Sequence, residues 1–183
     1  GALPDRGECL FDHLGETLPR DHAGAGKLHY RNTTGRNGFV SLKVARDDAN
    51  VYFLARTEKP VSSWKDPNWM NLLVSVPGTQ GANWEGYHFI VNRQVLGDGK
   101  TLVERCRGGW NWEKVAEAAY RVEGDRLHLA VPRAALGLAA GGKSLSLDFK
   151  WTDNLQQPGD IMDFYLSGDV APQGRFRFRY ASE

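Results

Sequence analysis

Five tryptophans fall between Trp64 and Trp112, most of them beside Gly, Asn, Asp or Pro, in a chain of 183 residues that holds 6 Trp in all. The segments are Ser63-Trp64-Lys65-Asp66-Pro67-Asn68-Trp69, Gly81-Ala82-Asn83-Trp84-Glu85-Gly86 and Gly108-Gly109-Trp110-Asn111-Trp112. Neighbours of that kind put the rings on turns and loops. An indole held on a loop offers a flat apolar face that matches the C–H face of a pyranose, while Asn, Asp, Arg and Glu beside it bond hydroxyls. The competing reading is that each ring caps the end of a core and stays covered, the commoner fate of Trp.

Other chemistries find fewer residues. Sugar hydrolysis needs two carboxyls held ~5 to ~9.5 Å apart. Asp160 and Asp163 flank Ile161-Met162, and three-residue spacing on a strand sends them to opposite faces. Glu104 alternates with Leu102 and Cys106 and reads as an ion-paired residue of a half-buried strand. The sequence contains no Gly-x-Ser-x-Gly elbow, His-Glu-x-x-His or Cys-x-x-Cys, so Ser hydrolysis and zinc chemistry lack carriers. The best calcium cluster is Asp47-Asp48-Ala49-Asn50, but Val51 and Phe53 stand where an EF-hand needs oxygens, and a hairpin turn accounts for the cluster. No cofactor is expected, with a structural calcium left open.

The elements that must position these residues are strands. In Leu145 to Trp151, Leu, Leu, Phe and Trp alternate with Ser, Asp and Lys, the mark of a half-buried strand. Phe176, Phe178 and Tyr180 alternate with Arg175, Arg177 and Arg179, a row read as a solvated face and not a polyanion track. Leu42 and Val44, the polar turn 47–50, then Val51, Phe53 and Ala55 predict one hairpin. Tyr120 to Val122, Glu123-Gly124-Asp125, then Leu127, Leu129 and Val131 predict another. Further strands are expected around Met70 to Val76, Tyr87 to Asn92, Leu102 to Arg107 and Ile161 to Leu166. Pro132-Arg133-Ala134-Ala135-Leu136-Gly137 predicts a helix of one or two turns. The spacing of Trp112, Val115, Ala116 and Ala119 suits helix or strand. Residues 1–26, rich in Gly, Asp, His and Pro, predict an extended arm over a sandwich edge, and 27–183 a single domain.

Composition bounds the function. Lys plus Arg number 23 and Asp plus Glu 22, a net charge of +1, too balanced for a general nucleic-acid or anionic-membrane binder. No apolar run approaches the ~20 residues of a membrane span. Gly1 in place of Met is expected to mark a piece of a longer protein. Two cysteines, Cys9 and Cys106, leave one optional bridge and make the core the source of stability. A sequon stands at Asn32-Thr33-Thr34.

Taken in order, Tyr30 to Asn37, Val44 to Phe53, Trp69-Met70, Gly86-Tyr87-His88-Phe89, Asn92-Arg93 and Val131 to Gly137 resemble family 9 carbohydrate-binding modules. They are closer still to the family-9-like sandwich domains appended to large bacterial glycoside-hydrolase-type proteins. The resemblance runs from about Tyr30 to Tyr180. It implies an all-β, antiparallel β-sandwich of jelly-roll-like, DOMON-related form, no catalysis, and glycan binding in service of an attached enzyme. Calcium in some members and haem in related DOMON domains come with the resemblance; Met70 and Met162 read as core fillers, not axial ligands. Trp69 aligns with one of the two Trp that clamp a sugar end in the family, and Asn92-Arg93 with a polar strand end near that sugar. The region of the second clamp reads Asp169-Val170-Ala171-Pro172-Gln173-Gly174 and has no aromatic.

The sequence thus leads to a non-catalytic carbohydrate-binding domain of a secreted or periplasmic glycan-degrading protein. Its expected site stacks sugar on Trp69, Trp84, Trp110 and Trp112 and orients it with Asn92, Arg93, Asp153 and Asn154. The expected partners are a poly- or oligosaccharide and a covalently attached catalytic domain, with no nucleic acid and no membrane. The alternatives are an accessory sandwich that packs on a catalytic domain without binding sugar, and a sugar-active hydrolase or lyase.

Overall fold

A computed structural model describes residues 20–142 and 144–182 fully and the backbone of 8–11. The strands are β1 (Glu8–Phe11), β2 (Arg20–Ala23), β3 (His29–Asn32), β4 (Phe39–Arg46), β5 (Asn50–Thr57), β6 (Asn71–Ser75), β7 (Phe89–Gly97), β8 (Lys100–Gly108), β9 (Asn111–Glu123), β10 (Arg126–Pro132), β11 (Leu145–Asp153), β12 (Asp169–Ala171) and β13 (Phe178–Ser182). A 3-10 helix (Arg133–Leu136) and one turn of α-helix, α1 (Asp163–Leu166), complete the described elements. All pairings are antiparallel. The ladder runs β1-β4-β5-β10-β9-β8-β7-β6-β11-β12, with β13 also on β11, while β2 and β3 form a separate ribbon.

This ladder closes on itself as a sandwich because alternate residues of nearly every strand are apolar. Phe53 of β5 meets Phe149 of β11 edge-on at 5.5 Å, and Phe39 lies 6.3 Å from Trp151. These contacts join the β4-β5-β10 side to the β6-β11 side across the main core. A second, smaller core of Leu73, Trp84, Tyr87, Ile90, Cys106, Leu155, Phe164 and Val170 lies on the outer face of β6, β7 and β8, under the loops that close over it.

Both expected hairpins form, β4–β5 and β9–β10. In the first turn Asp47 Oδ1 accepts the amides of Ala49 and Asn50 and Oδ2 the Tyr52 hydroxyl, so the aspartate serves its own turn. The short helix after Pro132 is 3-10 in form and ends on Gly137 at φ 71°, a left-handed stop that suits glycine. The stretch 112–120 is strand. Between the pairs Val103–Ala116 and Glu104–Lys114 the register shifts by one residue, a bulge that turns Trp112 to the outer core and Ala116, Ala118 and Tyr120 to the inner one.

Two expectations are corrected. Residues 161–166 are not a strand: Asp160 Oδ1 accepts the Met162 amide at 2.9 Å and starts the turn of α1. Phe176 lies outside β13 and is 78% exposed. Of the predicted arm, 8–11 extend the sheet by pairing with β4, 20–23 form the ribbon with β3, and the remainder of 1–19 lies outside the described residues. Cys106 is a free, buried thiol, and the side chain of Cys9, the other half of the optional bridge, lies outside the described residues. Asn32 of the sequon is 2% exposed, with Oδ1 accepting from Thr34 and Gly35.

Candidate ligand groove

At one end of the sandwich, the loop 62–69 and the start of β6 meet an irregular stretch of β7. Between the pairs Val91–Val103 and Val95–Thr101, β7 takes four steps where β8 takes two. The excess carries Asn92, at φ 70°, and Arg93 out of the ladder. Asn68 and Asn154 also adopt left-handed conformations, at φ 55° and 59°, and the Asn154 amide donates to Asn68 O at 2.9 Å. Asn tolerates this region best after Gly, and such positions gather at functional sites.

The result is a groove of about 520 Å³ lined by Trp64, Asp66, Asn68, Trp69, Asn71, Asn92, Arg93, Val95, Trp110, Leu155 and Pro158. Three of its buried polar atoms, Trp69 Nε1, Asn71 Oδ1 and Asn92 Oδ1, have no hydrogen-bond partner. Asn92 Nδ2 donates to Met70 O at 2.7 Å, which fixes the amide orientation. Unpaired buried donors and acceptors are costly, and three at one groove are a polar demand the protein itself does not meet.

Arg93 is held from behind. Its Nε and Nη2 donate to Glu104 Oε2 and Oε1 at 3.0 and 2.5 Å, and Gln94 Nε2 donates to Oε1 at 2.9 Å. The Glu104 side chain is 1% exposed and that of Arg93 31%, so a fork-shaped ion pair anchors the guanidinium at the rim. Glu104 is therefore the ion-paired strand residue that its alternation suggested.

Of the eight expected site residues, Trp69, Trp110, Asn92 and Arg93 line the groove. Trp69 is 5% exposed and meets Tyr120 edge-on, so it forms a wall and not an open platform. Trp84 is equally covered, donating from Nε1 to Gly159 O at 3.3 Å and packing against Trp110, Tyr87 and Phe164. Trp112 leans on Trp110 at 5.4 Å in the outer core and does not line the groove. Asp153 is enclosed and paired with Arg36 Nε at 3.0 Å. Burial outweighs that partner and pushes its pKa up to about 6. Asn154 opens instead on a separate polar pocket with His29, Arg31, Gln156 and Ser167.

Trp64, absent from the expected set, is the most exposed tryptophan among the described residues at 37%. Its neighbours Ser63, Lys65 and Asp66 are as turn-like as those of Trp69, and they were the available signal. Asp66 and Asn71 were also missed, because their place depends on how loop 62–69 folds onto β7.

Among the described residues no group of three or more His, Cys, Asp or Glu could hold a metal. The Arg row is structural where its partners are visible: Arg179 pairs with Asp148, and Arg177 binds the carbonyls of Glu85 and Gly86 and lies 4.1 Å over the Tyr87 ring.

Fold and site together define a class, an all-β sandwich with an aromatic, amide-rimmed groove at one end. Comparison with known proteins finds no match among family models, curated proteins or solved structures.

Proposed function

We infer that this groove binds glycan without turning it over, in a secreted or periplasmic protein whose catalytic domain is carried on the same chain. The observation that carries the reading is the combination in one groove of exposed indole with unpaired amide oxygens. Trp64 and Trp110 supply the stacking faces, Asn71 and Asn92 accept hydroxyl protons, and Arg93 donates. Ring stacking plus a few wet hydrogen bonds supports weak affinity, a Kd on the order of 10 μM to 1 mM. Asp66 is the one carboxylate among the described lining residues, which favours binding over a two-carboxyl hydrolysis. The order of motifs shared with family 9 modules supports the attached enzyme and the export.

A second reading is favoured by the burial of Trp69, Trp84 and Trp151: these rings serve the cores, as they would in an accessory sandwich that touches only a neighbouring domain. Retention on insoluble polysaccharides separates the two. The binding reading expects retention of the wild type on at least one glycan and its loss in Trp64→Ala, with an unchanged circular dichroism spectrum. An unretained wild type, or an equally retained Trp64→Ala, favours the accessory reading.

A further inference from the structure

We propose that the groove selects uncharged, hydroxyl-rich glycan and rejects uronates, and that buried Glu104 is the specificity-determining residue. This rests on reading the groove as a glycan site. Two charged side chains line it, Asp66 and Arg93. An arginine at a sugar site ordinarily recruits carboxylate, because its fork of donors matches the two oxygens. Here the fork is already engaged: two of its nitrogens bond the two oxygens of Glu104, which Gln94 also braces.

A uronate would have to compete with a 1%-exposed carboxylate that has no water to retreat to. Among the lining side chains Glu104 cancels the Arg93 charge, which leaves Asp66, without an ion-pair partner among the described residues, as the uncompensated charge; Lys65 lies outside the lining, with Nζ 5.6 Å from the Trp64 ring centroid. An incoming anion meets repulsion. Hydroxyls meet the reverse. Asn71 Oδ1 and Asn92 Oδ1 are acceptors without donors, and a carboxylate, having no proton to give, cannot satisfy them.

Glu104 thus works through Arg93 as a positioning residue. It leaves the guanidinium as a hydrogen-bond donor for neutral oxygen while removing its pull on anions. Rejection here comes from an unfavourable element built against the competitor, not only from contacts with the preferred ligand.

The test is isothermal titration of the purified protein with matched oligosaccharide pairs: neutral glucose, galactose or mannose oligomers, and the same chains oxidised at C6 to the uronates. The wild type is expected to bind the neutral member of its preferred pair roughly tenfold or more tighter than the oxidised one at low salt, the gap narrowing as salt is added. Glu104→Gln keeps the shape and leaves Arg93 its free charge, so the gap should close or reverse through tighter binding of the oxidised chain. Asp66→Asn, at a half-buried loop position outside either core, should narrow the gap roughly threefold and stands in if Glu104→Gln fails to fold. A wild type that binds the oxidised chain as well as the neutral one overturns the selectivity while leaving glycan binding intact. Variants with the wild-type gap overturn the charge mechanism. Absence of binding to both members of every pair overturns the groove reading itself.

Discussion

Asp153 gives the sharpest stability test. Its side chain is fully enclosed at the end of β11, and burial raises its pKa from 3.8 to about 6 despite the Arg36 partner. The folded protein therefore holds this proton over a pH range in which the unfolded chain has released it. Where the folded state binds more protons, stability falls as pH rises. Asp153 thus costs nothing below about pH 4 and its full amount above about pH 6, the window fixed by its two pKa values. At 1.36 kcal/mol per pH unit, the rise from 3.8 to about 6 is worth about 3 kcal/mol. Asp153→Asn removes the titration at nearly constant volume, and Arg36 keeps the carbonyls of Pro67 and Asn68.

Urea unfolding of both proteins from about pH 4 to pH 7.5 measures the difference directly, because titrations shared by both chains cancel. The Asn variant should gain about 3 kcal/mol on the wild type across the window, or roughly 6–12 °C in Tm for a chain of this size. A flat difference would refute the argument that burial dominates. Growing relative stability of the wild type with pH would show that the Arg36 attraction wins.

Other outcomes follow from the same packing. Trp84→Ala should cost about 3–5 kcal/mol in denaturant unfolding, because its indole fills the outer core, whereas Trp64→Ala should change stability by less than about 1 kcal/mol. At Gly159, φ is 89° and an added Cβ would stand 2.8 Å from Trp110 Cβ. Gly159→Ala should therefore displace Trp110, lower stability by about 1–3 kcal/mol and weaken glycan binding together. The Cys106 thiol, 2% exposed and bonded to Gly109 O, should resist alkylation in native protein, and peptide mapping should find it labelled only after unfolding.

What the sequence disclosed is what local pattern controls. Leu145, Leu147, Phe149 and Trp151 alternate because that face of β11 meets the core, although the opposite face is covered as well from Lys150 onward, where Lys150 is 0% exposed. Gly124-Asp125 marks the β9–β10 hairpin because few other residues make that turn. The failures are places where a single residue breaks the pattern or where distant segments meet. The bulge in β9 flips Trp112 and Ala116 to opposite faces, which is why spacing alone suited helix and strand equally. One turn of helix at Asp163–Leu166 has no room for a period and follows a turn that Asp160 closes by accepting the Met162 amide. At the groove, the β7 excess that lifts Asn92 and Arg93 out of the ladder is defined against β8 and has no local signature. Burial decided which indoles remain open: Trp69 and Trp64 sit in similar contexts, yet one packs on Tyr120 and the other does not.

The groove itself is tested most directly by titrating soluble oligosaccharides into the purified protein while following intrinsic tryptophan fluorescence, with a Trp64→Ala, Trp110→Ala double variant beside the wild type. A saturable shift is expected for at least one neutral glycan, and its loss in the double variant. A flat response from well-folded wild type across a broad panel, or the same saturation in the double variant, would contradict it.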